Sequence, residues 1–140
     1  MSGKIDISKL NVPPEKHELS VARFFAELGY DVEFIPPSNI PGVHRPDILL
    51  QGVEWEIKSP KGKGKNTIQK NFKVAIKQSH FIIFDLRRVN LPESKCISEI
   101  EKQMSLRPYM KKLFVICKNE TLLELPSKTI TTPKKDTKKD

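Results

Sequence analysis

The segment from His44 to Pro60 constrains the fold more than any other part of the chain. Apolar Ile48, Leu50, Val53, Trp55 and Ile57 are interleaved there with polar residues, and Gln51-Gly52 lies at the centre. Two strands joined by a two-residue turn account for the pattern, pairing Leu50 with Val53, Leu49 with Glu54, Ile48 with Trp55 and Asp47 with Glu56. The apolar side chains then share one face, and Asp47, Glu54, Glu56 and Lys58 share the other. Directly opposed carboxylates destabilise a strand pair unless something positive lies between them. Lys58, two residues beyond Glu56, is on the same face.

Two carboxylates with Cβ atoms about 5 Å apart repel by a few kcal/mol at an effective dielectric of about 20, so an unfilled site costs stability. A divalent cation removes that cost. Mg²⁺ or Mn²⁺ suits such a pair, because Mg²⁺ is typically held by one or two carboxylates together with water and substrate phosphate. A cation there would polarise a phosphodiester and acidify a bound water, with Lys58 placed to orient that water or balance charge. Asp47 and Glu56 are therefore the candidate metal ligands and Lys58 the candidate catalytic lysine.

The rest of the chain supplies an α/β frame around the hairpin. Residues 1–12 are short, polar and weakly patterned, and are expected to form an arm. Pro13-Pro14 opens a helix over residues 15–28 that Gly29 closes, with Leu19, Ala22, Phe25 and Ala26 as its apolar stripe. Glu18 borders that stripe. It either leans over the site or complements the helix dipole, and the residues alone leave the two even. Alternation predicts a strand over residues 30–35, and the proline-rich residues 36–42 are a loop. A flexible basic loop over residues 61–65 leads into a helix over residues 66–79, with Asn66 and Gln69 as a capping box. A buried strand over 81–86, a helix over 92–106, and strands over 112–118 and 122–125 complete the order. The expected class is α/β, a mixed sheet flanked by helices in the order αβββαβ followed by αββ, with the domain over residues 13–126. Residues 127–140 are rich in Lys, Thr, Pro and Asp and are expected to be a disordered basic tail.

A formal charge of +8 and a pI near 9.5 favour a polyanionic partner. Part of the excess is tail, where five lysines face two aspartates over residues 127–140. The rest is concentrated next to the hairpin. Between Glu56 and Asp85 there is no acidic residue, while Lys58, Lys61, Lys63, Lys65, Lys70, Lys73 and Lys77 all fall there. That run favours a substrate-side basic surface for nucleic acid over an ordinary solvated helix face, although Lys70 can point away. One of Arg87 and Arg88, with Arg87 preferred, is a candidate phosphate contact. Trp55 falls on the face opposite the acids and belongs to the core. His17, His44 and His80 lack metal-ligand spacing, and His44 stands apart only because it precedes Asp47 by three residues. Cys96 and Cys117 read as reduced core thiols, consistent with a cytosolic place of action. No segment has the length and apolarity of a signal peptide or membrane span.

Pro46-Asp47 followed by Glu56-Ile57-Lys58 resembles the PD-(D/E)XK nuclease signature, and the preceding helix with Glu18 is similar to the first core helix of that superfamily. A narrower likeness runs from Glu18 to Arg88. Glu56-Ile-Lys-Ser-Pro-Lys61, the glycine-lysine loop, Asn66-Thr67-Ile68, Ala75-Ile-Lys-Gln-Ser79 and Ile82-Ile-Phe-Asp-Leu-Arg-Arg88 resemble the C-terminal tRNA-nuclease domains of contact-dependent growth inhibition toxins and related polymorphic toxins. The resemblance implies a restriction-endonuclease-like core, Asp47 and Glu56 as metal ligands, Lys58 as catalytic lysine and Glu18 as a supporting acid. It also implies Ser59, Thr67 and Gln78 as polar residues on the substrate side, and an immunity protein as a specific partner. Action in the bacterial cytoplasm is implied too. The chain begins at Met1, whereas toxin domains of that family usually end large carriers, so an excised domain delivered from outside and a free-standing relative both stay open.

The expected function is that of a Mg²⁺- or Mn²⁺-dependent endonuclease acting on RNA, with tRNA favoured by the resemblance alone. A DNA endonuclease of the same fold is the first alternative. A catalytically silent nucleic-acid-binding module is the second, and retention of Asp47, Glu56 and Lys58 together argues against it. Nothing in the residues indicates the oligomeric state.

Overall fold

A computed structural model describes residues 2–110, 112–126 and 128–130. Eight strands form one mixed sheet in strict sequence order: β1 (Ile5–Asp6), β2 (Val32–Phe34), β3 (Ile48–Leu50), β4 (Val53–Lys58), β5 (Phe81–Asp85), β6 (Lys112–Ile116), β7 (Leu122–Leu125) and β8 (Lys128–Ile130). Helix α1 (Lys16–Glu27) lies between β1 and β2, α2 (Thr67–Ala75) between β4 and β5, and α3 (Glu93–Ser105) between β5 and β6. Strands β4, β5 and β6 run parallel, and the β2–β3, β3–β4, β6–β7 and β7–β8 pairs are antiparallel.

The hairpin has the expected register, with Ile48 opposite Trp55, Leu49 opposite Glu54 and Leu50 opposite Val53. Gln51 and Gly52 have φ of 55° and 77°. Positive φ at both central residues is the type I′ geometry that matches strand twist, and it leaves the loop two residues long. Trp55 is buried as expected, stacked on Phe114 at 4.7 Å between ring centroids, with its indole N–H donated to the Leu50 carbonyl.

Alternation divides the core into two layers. Ile48, Leu50, Trp55, Ile57, Ile83, Phe114 and Ile116 meet Val21, Ala22, Phe24 and Phe25 of α1 on one face of the sheet. Ile82, Phe84, Leu113 and Val115 meet Ile68, Phe72 and Ala75 of α2 and Cys96 and Ile100 of α3 on the other. The crossovers from β4 to β5 and from β5 to β6 step the same way along the sheet, so α2 and α3 cover the same face. Both cysteines are free and buried. No helix among the described residues is long and apolar enough to cross a membrane.

The structure departs from expectation at five places. The N-terminal arm docks as strand β1, parallel to β2, with the Gly3 N–H donated to the Ala26 carbonyl. Within the tail expected to be disordered, residues 128–130 pair with β7, while residue 127 and residues 131–140 lie outside the described residues. Helix α2 stops at Ala75 rather than at residue 79, because the Ser79 hydroxyl donates to the Glu54 carbonyl and accepts from the Phe81 N–H, a local alternative to another helical turn. The Asn66 side chain makes no cap, and the Gly64 carbonyl takes the Thr67 N–H instead. The basic loop is also held more firmly than its glycines suggest: Gly62 bridges Val89, and its carbonyl accepts from the Asn90 N–H at 2.7 Å.

Candidate active site

Strand β3 begins only at Ile48, and the chain bends at Asp47 just before it instead of extending the ladder. The Asp47 N–H is donated to the Trp55 carbonyl at 2.9 Å, one residue out of the hairpin register. Its carbonyl accepts from the Ile35 N–H at 3.0 Å. Where the two strands part, the Ile57 N–H would lack a partner. Asp47 Oδ2 accepts it at 2.8 Å. The carboxylate is thus fixed by main chain on both sides, and it is not the flat cross-strand partner of Glu56 that a continuous ladder would give.

Glu56 is 2% exposed, a rare depth for a charged side chain without partners. It has two. Lys58 Nζ lies 3.4 Å from Oε2 and His44 Nε2 lies 3.2 Å from Oε1. Burial pushes the Asp47 carboxyl up to about 6, and the Glu56 charge pushes the same way; the Ile57 N–H, His44 and Lys58 oppose them. Burial, two close acids and a nearby lysine in one place make this cluster the candidate site.

Glu18 of α1 faces the same cleft, a space of about 360 Å³ also lined by His44 and Asp47. Its carboxyl is raised by burial first and by Asp47 second. It also accepts the Glu15 N–H at 3.3 Å. Both meanings open at the level of sequence are therefore present in one side chain, a first-turn cap and an acid leaning toward Asp47.

Lys58 ends β4, so the loop that follows leaves from the carboxyl ends of the parallel strands, where α/β sheets place their ligand crevices. Lys61, Lys63 and Lys65 are exposed in it and form no ion pair among the described residues. Thr67 starts α2 at this end of the sheet. Ser59 is buried and its hydroxyl has no protein partner, while its carbonyl accepts from both Nε and Nη2 of Arg88. Lys73 and Lys77 are exposed toward and past the far end of α2. Gln78 is not brought to Lys58. It adjoins Ser79, which is bonded to Glu54 at the hairpin end of β4, and its side-chain oxygen is buried without a partner. Arg87 is committed elsewhere: Nε and Nη2 grip both oxygens of Asp85, Nη2 reaches Ser20 at 3.1 Å, and the guanidinium lies over Phe24. The Asp85–Arg87 ion pair is a built-in strut, and Arg88 is the freer of the two arginines.

Among the described residues no group of three or more His, Cys, Asp or Glu is placed to cage a metal ion. The donors gathered here are the carboxylates of Glu18, Asp47 and Glu56 and the imidazole of His44, with no thiolate. That set fits a hard cation sharing its coordination with water and phosphate, and does not fit a structural zinc. The sequence signal for His44 is only its distance from Asp47, and its contact with Glu56 at 3.2 Å is visible in the structure alone. The cap role of the Asp47 carboxylate left no signal, because it depends on where β3 begins.

A sequence model of the contact-dependent growth inhibition CdiA C-terminal domain matches residues 44–122, more than half of the 140 residues. That span holds His44, Asp47, Glu56, Lys58 and the basic loop. No curated protein matches the chain. Among solved structures, the fold is similar to a chain of the CdiA-CT/CdiI toxin and immunity complex from Burkholderia pseudomallei, with a TM-score of 0.65 and 20% identity over 88% of this chain and 98% of that one. At that identity the likeness is one of fold. The matched span covers the hairpin, both crossovers and strand β6, and the chain belongs to the contact-dependent growth inhibition CdiA C-terminal domain family.

Proposed function

We propose that this chain is a toxin-type nuclease with a PD-(D/E)XK core, hydrolysing phosphodiester bonds in RNA, with tRNA as the substrate, in a reaction that depends on Mg²⁺ or Mn²⁺. The observation that carries the proposal is the buried Glu56 held between Lys58 and His44, beside an Asp47 whose carboxyl its charge helps to raise. Asp47 and Glu56 would hold the cation, which when bound supplies Lewis-acid activation of phosphate and water. The chain's own residues do the rest. The Ile57 N–H fixes the Asp47 carboxylate, Lys58 offers a positive charge where the phosphorane charge grows, and the exposed lysines of residues 61–65 attract the strand. The choice of RNA over DNA and action in the cytoplasm of a neighbouring bacterium rest on the resemblance of residues 56–88 to tRNA-nuclease toxin domains, while delivery from outside and an immunity protein as inhibitor are supported by family membership and by the toxin and immunity complex whose fold the chain shares.

The test is a substrate panel. Total RNA, purified tRNA and plasmid DNA are incubated with the protein in Mg²⁺, in Mn²⁺ and in EDTA. Metal-dependent fragments from tRNA support the proposal. Metal-dependent cleavage of the plasmid alone identifies a DNA endonuclease, and salt-sensitive binding without cleavage in any divalent ion identifies a silent binding module.

A further inference from the structure

The cleft that holds Glu18, His44 and Asp47 does not end at the acids. It shares Leu10, Val12, Pro37, Ser38 and Arg45 with a second hollow of about 450 Å³ that also takes in Asn11, Asn39 and Ile40. Two of the most exposed large apolar side chains of the molecule line this run, Val12 at 69% and Ile40 at 64%. Exposed apolar side chains lining one continuous cleft mark a surface that meets a ligand. The second hollow is lined by apolar and uncharged polar residues apart from Arg45.

We propose that this hollow receives an unstacked nucleobase next to the scissile phosphate, and so sets which nucleotide the enzyme cuts beside. The inference rests on the nuclease reading of Asp47, Glu56 and Lys58. A strand whose phosphate lies at the acids must continue in two directions. On the Lys58 side it meets the lysine loop, which suits backbone. On the other side it meets Val12, Pro37 and Ile40, which offer apolar surface to the flat face of a base. Single-stranded RNA is read by splaying bases out and bonding their edges. The edge partners are on hand, because the side-chain amides of Asn11 and Asn39 have no protein partner among the described residues. The rim is also held in shape. Ser38 Oγ accepts the Ile40 N–H at 3.0 Å, the Ile40 carbonyl accepts the Val43 N–H at 3.1 Å, and Arg45 donates to the Pro36 carbonyl. A further hollow, lined by Lys65, Lys95, Glu99 and Lys102 around Cys96, reaches the basic loop and suits phosphate rather than a base.

Val12→Ser, Ile40→Ser and Asn39→Ala are neutral changes at exposed positions, with Val74→Ser on α2 as the apolar control. Two readouts are used: cleavage-site mapping on tRNA with kcat and KM, and tRNA affinity in a Glu56→Gln background. Each cleft variant is expected to raise KM about fivefold with little change in kcat, and the pair Val12→Ser/Ile40→Ser to blur the cleavage position, while Val74→Ser changes neither. Affinity should fall by a similar factor. If wild-type cleavage is metal-dependent while cut sites, KM and affinity are the same in all variants, the base pocket is overturned and the nuclease reading stands. If no polymer is cut yet cleft variants still weaken tRNA binding, the pocket stands and the nuclease reading falls.

Discussion

Asp47 is where the chemistry of one residue reaches furthest. Its carboxyl sits at about 6 in the folded protein against an ordinary 3.8, raised by burial first and by Glu56 second. The folded state therefore holds a proton between about pH 4 and pH 6 that the unfolded chain has lost, and stability falls as pH rises through that window. The shift corresponds to a loss of up to about 3 kcal/mol at neutral pH. Asp47→Asn removes the titration and keeps an acceptor for the Ile57 N–H. In EDTA the variant should melt several degrees above wild type at pH 7, with the gap closing toward pH 4, and Mg²⁺ should stabilise wild type alone. Thermal melts from pH 4 to pH 8 decide this, and a gap independent of pH would refute it. Asp47, Glu56 and Lys58 were legible from spacing because strand alternation fixes faces two residues apart. The bend that turns the Asp47 carboxylate onto the Ile57 N–H was not, since it follows from the parting of two strands and not from any local pattern.

At the scale of elements, the Arg87 strut ties the end of β5 to α1 through Asp85, Ser20 and the ring of Phe24. Asp85 is 4% exposed, so removing its partner leaves a buried carboxylate alone. Arg87→Ala should cost about 3 kcal/mol, or about 10 °C in Tm, without changing the salt dependence of RNA binding. A stable variant with weakened binding would restore Arg87 to the substrate side. The preference for Arg87 as the phosphate contact is overturned, because Asp85, Ser20 and the Phe24 ring that α1 presents take its guanidinium, and no pattern in Arg87-Arg88 announces that. The hairpin register was legible for its three pairs from Ile48 to Val53, since a two-residue loop leaves one register, but the expected fourth pair of Asp47 with Glu56 is lost where the chain bends. The end of α2 was not, because Ser79 prefers partners on β4 and β5. Strands β1 and β8 are three residues or fewer and exist only by adding to a neighbour, so no periodicity announces them.

Over the whole molecule, charge and site are brought together by topology. The six lysines of residues 61–77 spread over the loop and α2 with no acidic residue among them, and the part nearest the carboxylates is the loop at Lys61, Lys63 and Lys65. Changing these three to Gln should reduce the slope of log affinity against log salt by about 2, at about 0.7 per phosphate contact on a single strand. The same change at Lys70, Lys73 and Lys77 should have a smaller effect. Equal slopes for the two sets would mean that the surface acts only through net charge. On the proposed function, Glu56 and Lys58 form the working end of a metal-dependent nuclease. Single-turnover cleavage of tRNA by wild type, Glu56→Gln and Lys58→Ala, each in Mg²⁺ and in EDTA, tests it most directly. Fragments are expected from wild type in Mg²⁺ alone, with both variants slowed by at least about a hundredfold at unchanged fold. Fragments that persist in EDTA, or that both variants produce at the wild-type rate, would contradict it.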